Sequence, residues 1–509
     1  MRRSLSPLLF ASVAFVLGAL SPTGAALAPP PVVATSQGLV RGLRVEGARA
    51  FLGIPYAAPP VGPRRWERPA PPKSWEGTLD ARSAPPRCAQ ASPLASQEDC
   101  LYLNVHTPDP APVKAPVMVW IHGGSFTFGE GLQTDGGTAG DRLAKRFGVV
   151  VVSMNYRLGP FGFFGHPDRE GTGNLGLADQ VAALRWVEAN IEAFGGDPER
   201  VTIFGESAGG MSVCAHLVSP ESEGLFDRAI VQSGFCAAPA VTREEAARDA
   251  SALEARLGCD SEACMRERST AEILEASDAI ASGELADRRA WRPYVDGELL
   301  PASIAERIER GAFHRVPVIA GWNGDEGSLD VLFARLSAGL SFDARETYDA
   351  VTARLGERYG VPVEAIRAQY PAGDDPAAAL SSAIGHATLA CPSRRFARAL
   401  ARRGADIYAY RFTHPSAEFQ IPLIGEGLGA FHSAEIQYVF DRPAGLFTSD
   451  FEGRERALSD AMAGAWSRFA ERGDPGEWPR FDDQEAHVVF DRGATLARGA
   501  DVDACALWE

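Results

Sequence analysis

The sequence predicts an α/β fold, a mostly parallel β-sheet wrapped by helices, and three observations predict it. Four runs that are apolar at nearly every position, 117–121, 149–154, 201–204 and 229–232, have strand length and suit strands covered on both faces. Between the second and third of them lies a stretch whose apolar residues Leu177, Val181, Leu184, Val187 and Ile191 recur at helical spacing. Strands alternating with helices imply parallel pairing. The chain has 509 residues, 45% hydrophobic and 23% charged, so it can bury a large core.

The N-terminal residues Arg2 and Arg3 precede an apolar run of about 8–20 and small residues at 24–28, the pattern of a signal peptide over 1–28 with its cut near Ala28, Ala26 or Ala25. The run is shorter than the roughly 20 residues a bilayer span needs, so no stable membrane anchor is expected. The segments 31–35 and 39–43 flank Ser36-Gln37-Gly38 and read as a β-hairpin. The central runs follow, with the helix ending at Gly195-Gly196-Asp197-Pro198. Two further strands, 316–320 and 407–412, extend the sheet. Helix-rich inserts at about 242–289 and 341–402 are expected to cap its C-terminal edge, where open parallel sheets bind ligands. No repeat or linker divides the chain, so 29–509 reads as a single domain.

The formal net charge of −16 excludes a basic nucleic-acid face. Eight cysteines in an exported chain can form disulfides. Cys214 and Cys236 are expected to be buried free thiols.

Strand 201–204 runs into Gly205-Glu206-Ser207-Ala208-Gly209, a G-x-S-x-G sequence followed by a helical pattern. A serine in so sharp a strand-to-helix turn is strained and exposed, and the glycines two residues away on either side let strand and helix pass closely. A serine hydroxyl needs a base, an acid that orients the base, and donors for an oxyanion. Ile121-His122-Gly123-Gly124-Ser125 supplies bare backbone N–H groups, so Gly123 and Gly124 with Ala208 form the expected oxyanion hole. For the acid, Asp325 and Glu326 both follow the strand ending at Ala320. For the base, nine histidines compete, and His414 and His432 lie after the strand ending at Phe412. No histidine pair has metal-ligand spacing, so neither metal nor cofactor is expected.

Taken together the sequence resembles the type-B carboxylesterase family, the esterase, lipase and cholinesterase branch of the α/β-hydrolase fold, over the whole mature chain. The resemblance is carried by 51–57, Glu98-Asp99-Cys100-Leu101-Tyr102-Leu103-Asn104-Val105, His122-Gly123-Gly124, Asn155-Tyr156-Arg157-Leu158-Gly159, 194–198, 205–209, Asn323-Gly324-Asp325-Glu326-Gly327 and 432–435. It implies Ser207 as nucleophile, Glu326 as acid and His432 as base, with Asp325 and His414 as runners-up. It also implies disulfides Cys88–Cys100, Cys259–Cys264 and Cys391–Cys505. Glu206 and Glu435 match acidic positions near the catalytic histidine of relatives, where they could stabilise its protonated form.

The departures bear on substrate. Where cholinesterases carry a tryptophan for the choline cation in a long loop, residues 89–99 here are few and hold no aromatic. The stretch 287–293 is polar where cholinesterases place phenylalanines. The expected activity is therefore that of a general or specialised secreted or periplasmic carboxylesterase acting on a small-molecule ester. A lipase, whose lid would fall in 419–431, an amide, thioester or carbamate hydrolase, and a non-catalytic adhesion module are the competing expectations.

Overall fold

The computed structural model describes residues 29–133, 137–166, 173–281, 290–415, 427–443 and 450–509. The expected leader 1–28, part of the stretch 287–293 and most of 419–431, where a lid would fall, lie outside them. Val32–Thr35 and Gly38–Arg41 pair antiparallel as expected, and Thr78–Asp80 joins them in a small separate sheet.

The main sheet has eleven strands: β1 (Leu43–Val45), β2 (Ala48–Pro55), β3 (Tyr102–Pro108), β4 (Ala115–Ile121), β5 (Val150–Met154), β6 (Gly196–Glu206), β7 (Arg228–Gln232), β8 (Val318–Asn323), β9 (Ile407–Phe412), β10 (His487–Phe490) and β11 (Ala494–Ala497). They lie in the order 11-10-9-8-7-6-4-5-3-2-1. From β5 to β10 every neighbouring pair is parallel. The strands at both ends run antiparallel. This is the α/β-hydrolase architecture. β8 begins at Val318, not at 316, because Pro317 has no N–H to give to the ladder.

Alternate residues of the apolar runs face opposite sides. Val117, Val119 and Ile121 pack in one buried cluster, and Met118 and Trp120 in another. The first cluster is covered by α1 (Leu175–Asn190), α2 (Ala208–Val218) and α3 (Cys391–Arg402), and the second by α4 (Gly453–Arg472) through Leu458, Met462, Trp466 and Phe469. Each fully buried aliphatic or aromatic side chain contributes about 1.5–3 kcal/mol relative to exposure. The second insert is only partly a cap: its last helix, α3, lies on the sheet face through Phe396 and Leu400, while helices Ala344–Tyr359 and Pro376–Gly385 build a satellite core with Trp508.

All four cysteine pairs are bridged: Cys88–Cys100, Cys214–Cys236, Cys259–Cys264 and Cys391–Cys505. The expectation of free thiols at Cys214 and Cys236 is thus corrected. Both are buried, but β7 lies beside β6, and the chain leaving β7 runs back along α2 and brings their Cα atoms to 6.0 Å, within disulfide reach. Among the described residues no helix is long and apolar enough to cross a membrane.

Candidate active site

Ser207 stands between β6 and α2 at φ 57°, ψ −120°, backbone angles that an L-residue holds only under constraint. The flanking glycines supply the constraint. A Cβ on Gly209 would lie 2.0 Å from the carbonyl oxygen of Ile121, and one on Gly205 would lie 2.6 Å from the carbonyl carbon of Gly209. The Ser207 N–H donates to Gln232 O on β7 at 2.9 Å, which ties the turn to the neighbouring strand. The α2 N-terminus that follows favours negative charge.

The turn after β4 carries His122, Gly123 and Gly124. Gly124 has φ +105°, and a Cβ there would meet Phe128 O at 2.0 Å. Gly123 lies against the elbow: a Cβ on it would fall 2.8 Å from Glu206 O and 3.1 Å from the Ser207 Cβ. His122 braces the turn. Its ring stacks on Tyr156 at 4.3 Å, and Tyr156 Oη donates to His122 O at 2.8 Å. Burial pushes the His122 imidazole down to about 4, so it is neutral, and its Nδ1 donates to Gly123 O at 2.8 Å. Among the described residues no acceptor engages the N–H groups of Gly123, Gly124 or Ala208.

The choice left open between Asp325 and Glu326 is separated by burial. Glu326 is 2% exposed, and its Oε2 lies 2.7 Å from His432 Nδ1. Its Oε1 accepts from Ser233 Oγ and from the Asn323 N–H, both at 2.7 Å. Asp325 points outward and fastens the histidine loop: its N–H donates to Ala430 O at 3.0 Å and its Oδ2 accepts from the Ala430 N–H at 2.8 Å. His414 stands elsewhere, with Nε2 2.6 Å from Glu455 Oε1 on α4.

On its other side, His432 Nε2 lies 3.1 Å from Oε1 of Glu206, a close charge contact without hydrogen-bond alignment. Ser207 Oγ makes no hydrogen bond among the described residues, and the serine is 9% exposed. Such contacts are often loose before substrate binds. Glu435 does not touch the ring. It accepts from Gln232 Nε2 at 3.0 Å and Asn323 Nδ2 at 2.7 Å, and Trp466 Nε1 donates to Gln232 Oε1 at 3.1 Å.

Three buried carboxylates thus surround one imidazole. Burial, with Glu435 and Glu326 adding to it against the pull of His432, pushes Glu206 up to about 8. Burial also raises Glu435, opposed by its bonds from Gln232 and Asn323. For His432 burial favours the neutral ring, but Glu206, then Glu326, outweigh it and push the ring up to about 10. The group titrates as a unit, because each proton taken by a carboxylate loosens the hold on the imidazole proton. No role for Ser233 or Gln232 is read from the sequence, and Asn323 appears there only as part of a stretch that carries the resemblance. Ser233 and Gln232 end an ordinary apolar strand, and only the pairing of β7 with β6 and β8 brings them to the carboxylates.

Among the described residues no cluster of histidine, cysteine or acidic side chains is arranged to hold a metal ion. The loop 89–99 borders the oxyanion turn, with Gln90 donating to Gly129 O at 2.9 Å and accepting from the Gly129 N–H at 3.0 Å.

Comparison with known proteins agrees with this architecture. The model of the carboxylesterase family matches residues 29–508. An acetylcholinesterase of Bungarus fasciatus is 35% identical over 94% of this chain and 85% of its own length. The pyrethroid hydrolase Ces2e of Rattus norvegicus is 34% identical over 94% of this chain and 89% of its own. A solved PNB esterase superposes with a TM-score of 0.82 at 34% identity, covering 94% of this chain and all of that one.

Proposed function

The chain belongs to the carboxylesterase family and is a carboxylic ester hydrolase, and on that premise we propose that it works through an acyl-enzyme on Ser207. Ser207 Oγ attacks the ester carbonyl while His432 Nε2 takes its proton. The carbonyl oxygen becomes an oxyanion held by the N–H groups of Gly123, Gly124 and Ala208. His432 then gives the proton to the departing alcohol, and water repeats the sequence to release the acid. Glu326 holds the ring in the tautomer with Nδ1 protonated and stabilises the imidazolium that forms. The observation that carries the reading is the strained Ser207 elbow with Glu326 and His432 paired at 2.7 Å.

For this to run near neutral pH, His432 must reach its neutral form. Protonation of Glu206 and Glu435, both raised, makes that form accessible by reducing the negative charge around the ring. The chemistry requires no metal or cofactor.

The substrate class we propose is an uncharged small-molecule ester. The loop 89–99 against the oxyanion turn presents no aromatic face to a quaternary ammonium. We further propose that residues 1–28 are a leader and that 29–509 are exported as one domain to the periplasm or outside the cell, where the four disulfides persist.

The test is intact-mass spectrometry after treatment with an organophosphonate ester, followed by peptide mapping. A single adduct on Ser207, absent from Ser207→Ala, supports the reading; a folded protein without an adduct sinks it. Comparing acetylcholine with a neutral ester of the same acyl group then tests the substrate class. A higher kcat/KM for the choline ester would reverse it.

A further inference from the structure

Segment 232–236, which leaves β7, touches the hydrolytic site at each step. Gln232 O receives the Ser207 N–H, and Ser233 Oγ donates to Glu326 Oε1 at 2.7 Å. Gly234 presses on α2 so closely that a Cβ on it would lie 2.9 Å from the carbonyl carbon of Gly210, while a Cβ on Gly210 would lie 3.0 Å from Gly234 Cα. Ser393 Oγ on α3 donates to Gly234 O at 3.0 Å from the other side. Just beyond, Cys236 is bridged to Cys214, inside the helix that Ser207 begins.

We propose that the Cys214–Cys236 disulfide is a positioning element of the ester-hydrolysing site. It clamps segment 233–236 onto α2, so that the donor to the acid and the turn carrying the nucleophile move as one body. The proposal rests on the assignment of Ser207, Glu326 and His432 made above.

Gly234 has no side chain to anchor it, and Ser233 stands at φ 48°, a left-handed conformation that a serine leaves unless it is held. Hydrogen bonds at Gln232 O and Gly234 O, and one from the Ser233 N–H to Gly321 O on β8 at 2.8 Å, tie this short arc to the Ser207 turn, to α3 and to the neighbouring strand, but none of them runs from the arc to the body of α2. The covalent bridge fixes the direction in which that arc meets α2. A displacement of about 1 Å in such a support can cost about 100-fold in rate. If Ser233 leaves Glu326, one fewer donor shares the carboxylate's charge, so its Oε2 holds the Nδ1 proton of His432 more strongly and favours the charged ring.

The experiment replaces both cysteines, Cys214→Ala with Cys236→Ala, so that no free thiol is created. Phosphonate labelling of the parent protein comes first: no adduct on Ser207 means that the triad assignment has failed, independently of the disulfide. With the adduct present, the double variant should lose kcat on the order of tenfold with KM changed by less than about twofold. The acidic limb of its kcat/KM profile should move to higher pH, in the same direction as in Ser233→Ala. A lower melting temperature with unchanged kcat and an unmoved limb would reduce the bridge to a stabilising link and overturn the proposal. Should the double variant not fold, Gly234→Ala with the disulfide intact decides. Its Cβ would fall 2.5 Å from Val231 Cγ1 and push the segment off α2. Parental kcat in that variant also overturns the proposal.

Discussion

Glu326 Oε2 lies 2.7 Å from His432 Nδ1, while Asp325, its chain neighbour, turns outward and holds the Ala430 N–H at 2.8 Å. Adjacent carboxylates therefore do separate work, one on the ring and one on the loop that carries it. Glu326→Gln keeps the size but removes the charge that stabilises the imidazolium, and an amide can present the wrong atom to Nδ1. Its kcat should fall on the order of 10³-fold or more with the melting temperature little changed. Asp325→Ala, by contrast, loses a partly solvated hydrogen bond worth about 1 kcal/mol, so it should lower stability slightly and activity only a few-fold. Steady-state kinetics beside thermal denaturation separates the two. A large kcat loss in Asp325→Ala with little loss in Glu326→Gln would mean that the acid has been assigned to the wrong member of the pair.

The contact of Glu206 with His432 Nε2 at 3.1 Å fixes the sign of a pH effect. His432 must be neutral to act as base, so activity rises with pH through its deprotonation. Burial pulls the ring down, but Glu206 is the largest influence holding it up, at about 10. Glu206→Gln removes that charge, so the acidic limb of kcat/KM should move to lower pH. With one carboxylate fewer in the coupled set, the profile should also show one ionisation step fewer. The plateau should fall, since the imidazolium of the transition state loses a stabilising neighbour. A pH–rate profile checks this; an unmoved limb would show that Glu206 stays neutral throughout the working range.

At the oxyanion turn, Gly124→Ala asks alanine to adopt φ +105° and to place a Cβ 2.0 Å from Phe128 O. The turn must open, which misdirects the N–H groups of Gly123 and Gly124. Losing one such donor costs about 10²–10³ in kcat. Slow labelling by phosphonate together with retained binding of a ground-state product analogue is the expected pair of results. Rapid labelling would remove this turn from the oxyanion site.

Much of this was legible in the sequence, because the chemistry needs local patterns that a chain cannot hide. The run 117–121 is apolar on both faces since both faces are covered, and Gly205 and Gly209 bracket Ser207 since neither position tolerates a Cβ. Asp325 against Glu326 was not separable from spacing alone, because the decision depends on which residue the turn after β8 buries. The family resemblance indicated Glu326, and burial supplies the reason. Ser233 and the Cys214–Cys236 bridge were illegible for a related reason. Each depends on which strands are neighbours, and residues 214 and 236 carry no local mark of being 6.0 Å apart. The tight φ +92° turn at Gly195 illustrates the intermediate case: the end of the helix was readable, but the strand that starts at once on Gly196 was not.

The four bridges differ most in the length of chain they close, and this predicts their separate effects on stability. Cys391–Cys505 spans 114 residues and pins α3 to the C-terminal segment, whereas Cys259–Cys264 spans 5, from the turn after helix Arg243–Leu257 into the short helix Glu262–Glu267. In the chain-entropy account the first restricts the unfolded state by about 5 kcal/mol and the second by about 2 kcal/mol. The first also borders a satellite core: Cys391 and Cys505 pack with Tyr370 and Trp508, and the Trp508 Nε1 donates to Tyr370 Oη at 3.0 Å. Replacing both cysteines of the long bridge by alanine should therefore lower the denaturant midpoint markedly, while the same change at Cys259 and Cys264 should lower it less than half as much. Neither bridge touches Ser207, Glu326 or His432, so kcat of the folded variants should stay within about twofold of the parent. Equilibrium unfolding in urea with kinetics on the same samples tests the ordering. A larger loss from the short bridge would mean that native-state packing of helices Arg243–Leu257 and Glu262–Glu267, not loop entropy, sets what these disulfides contribute.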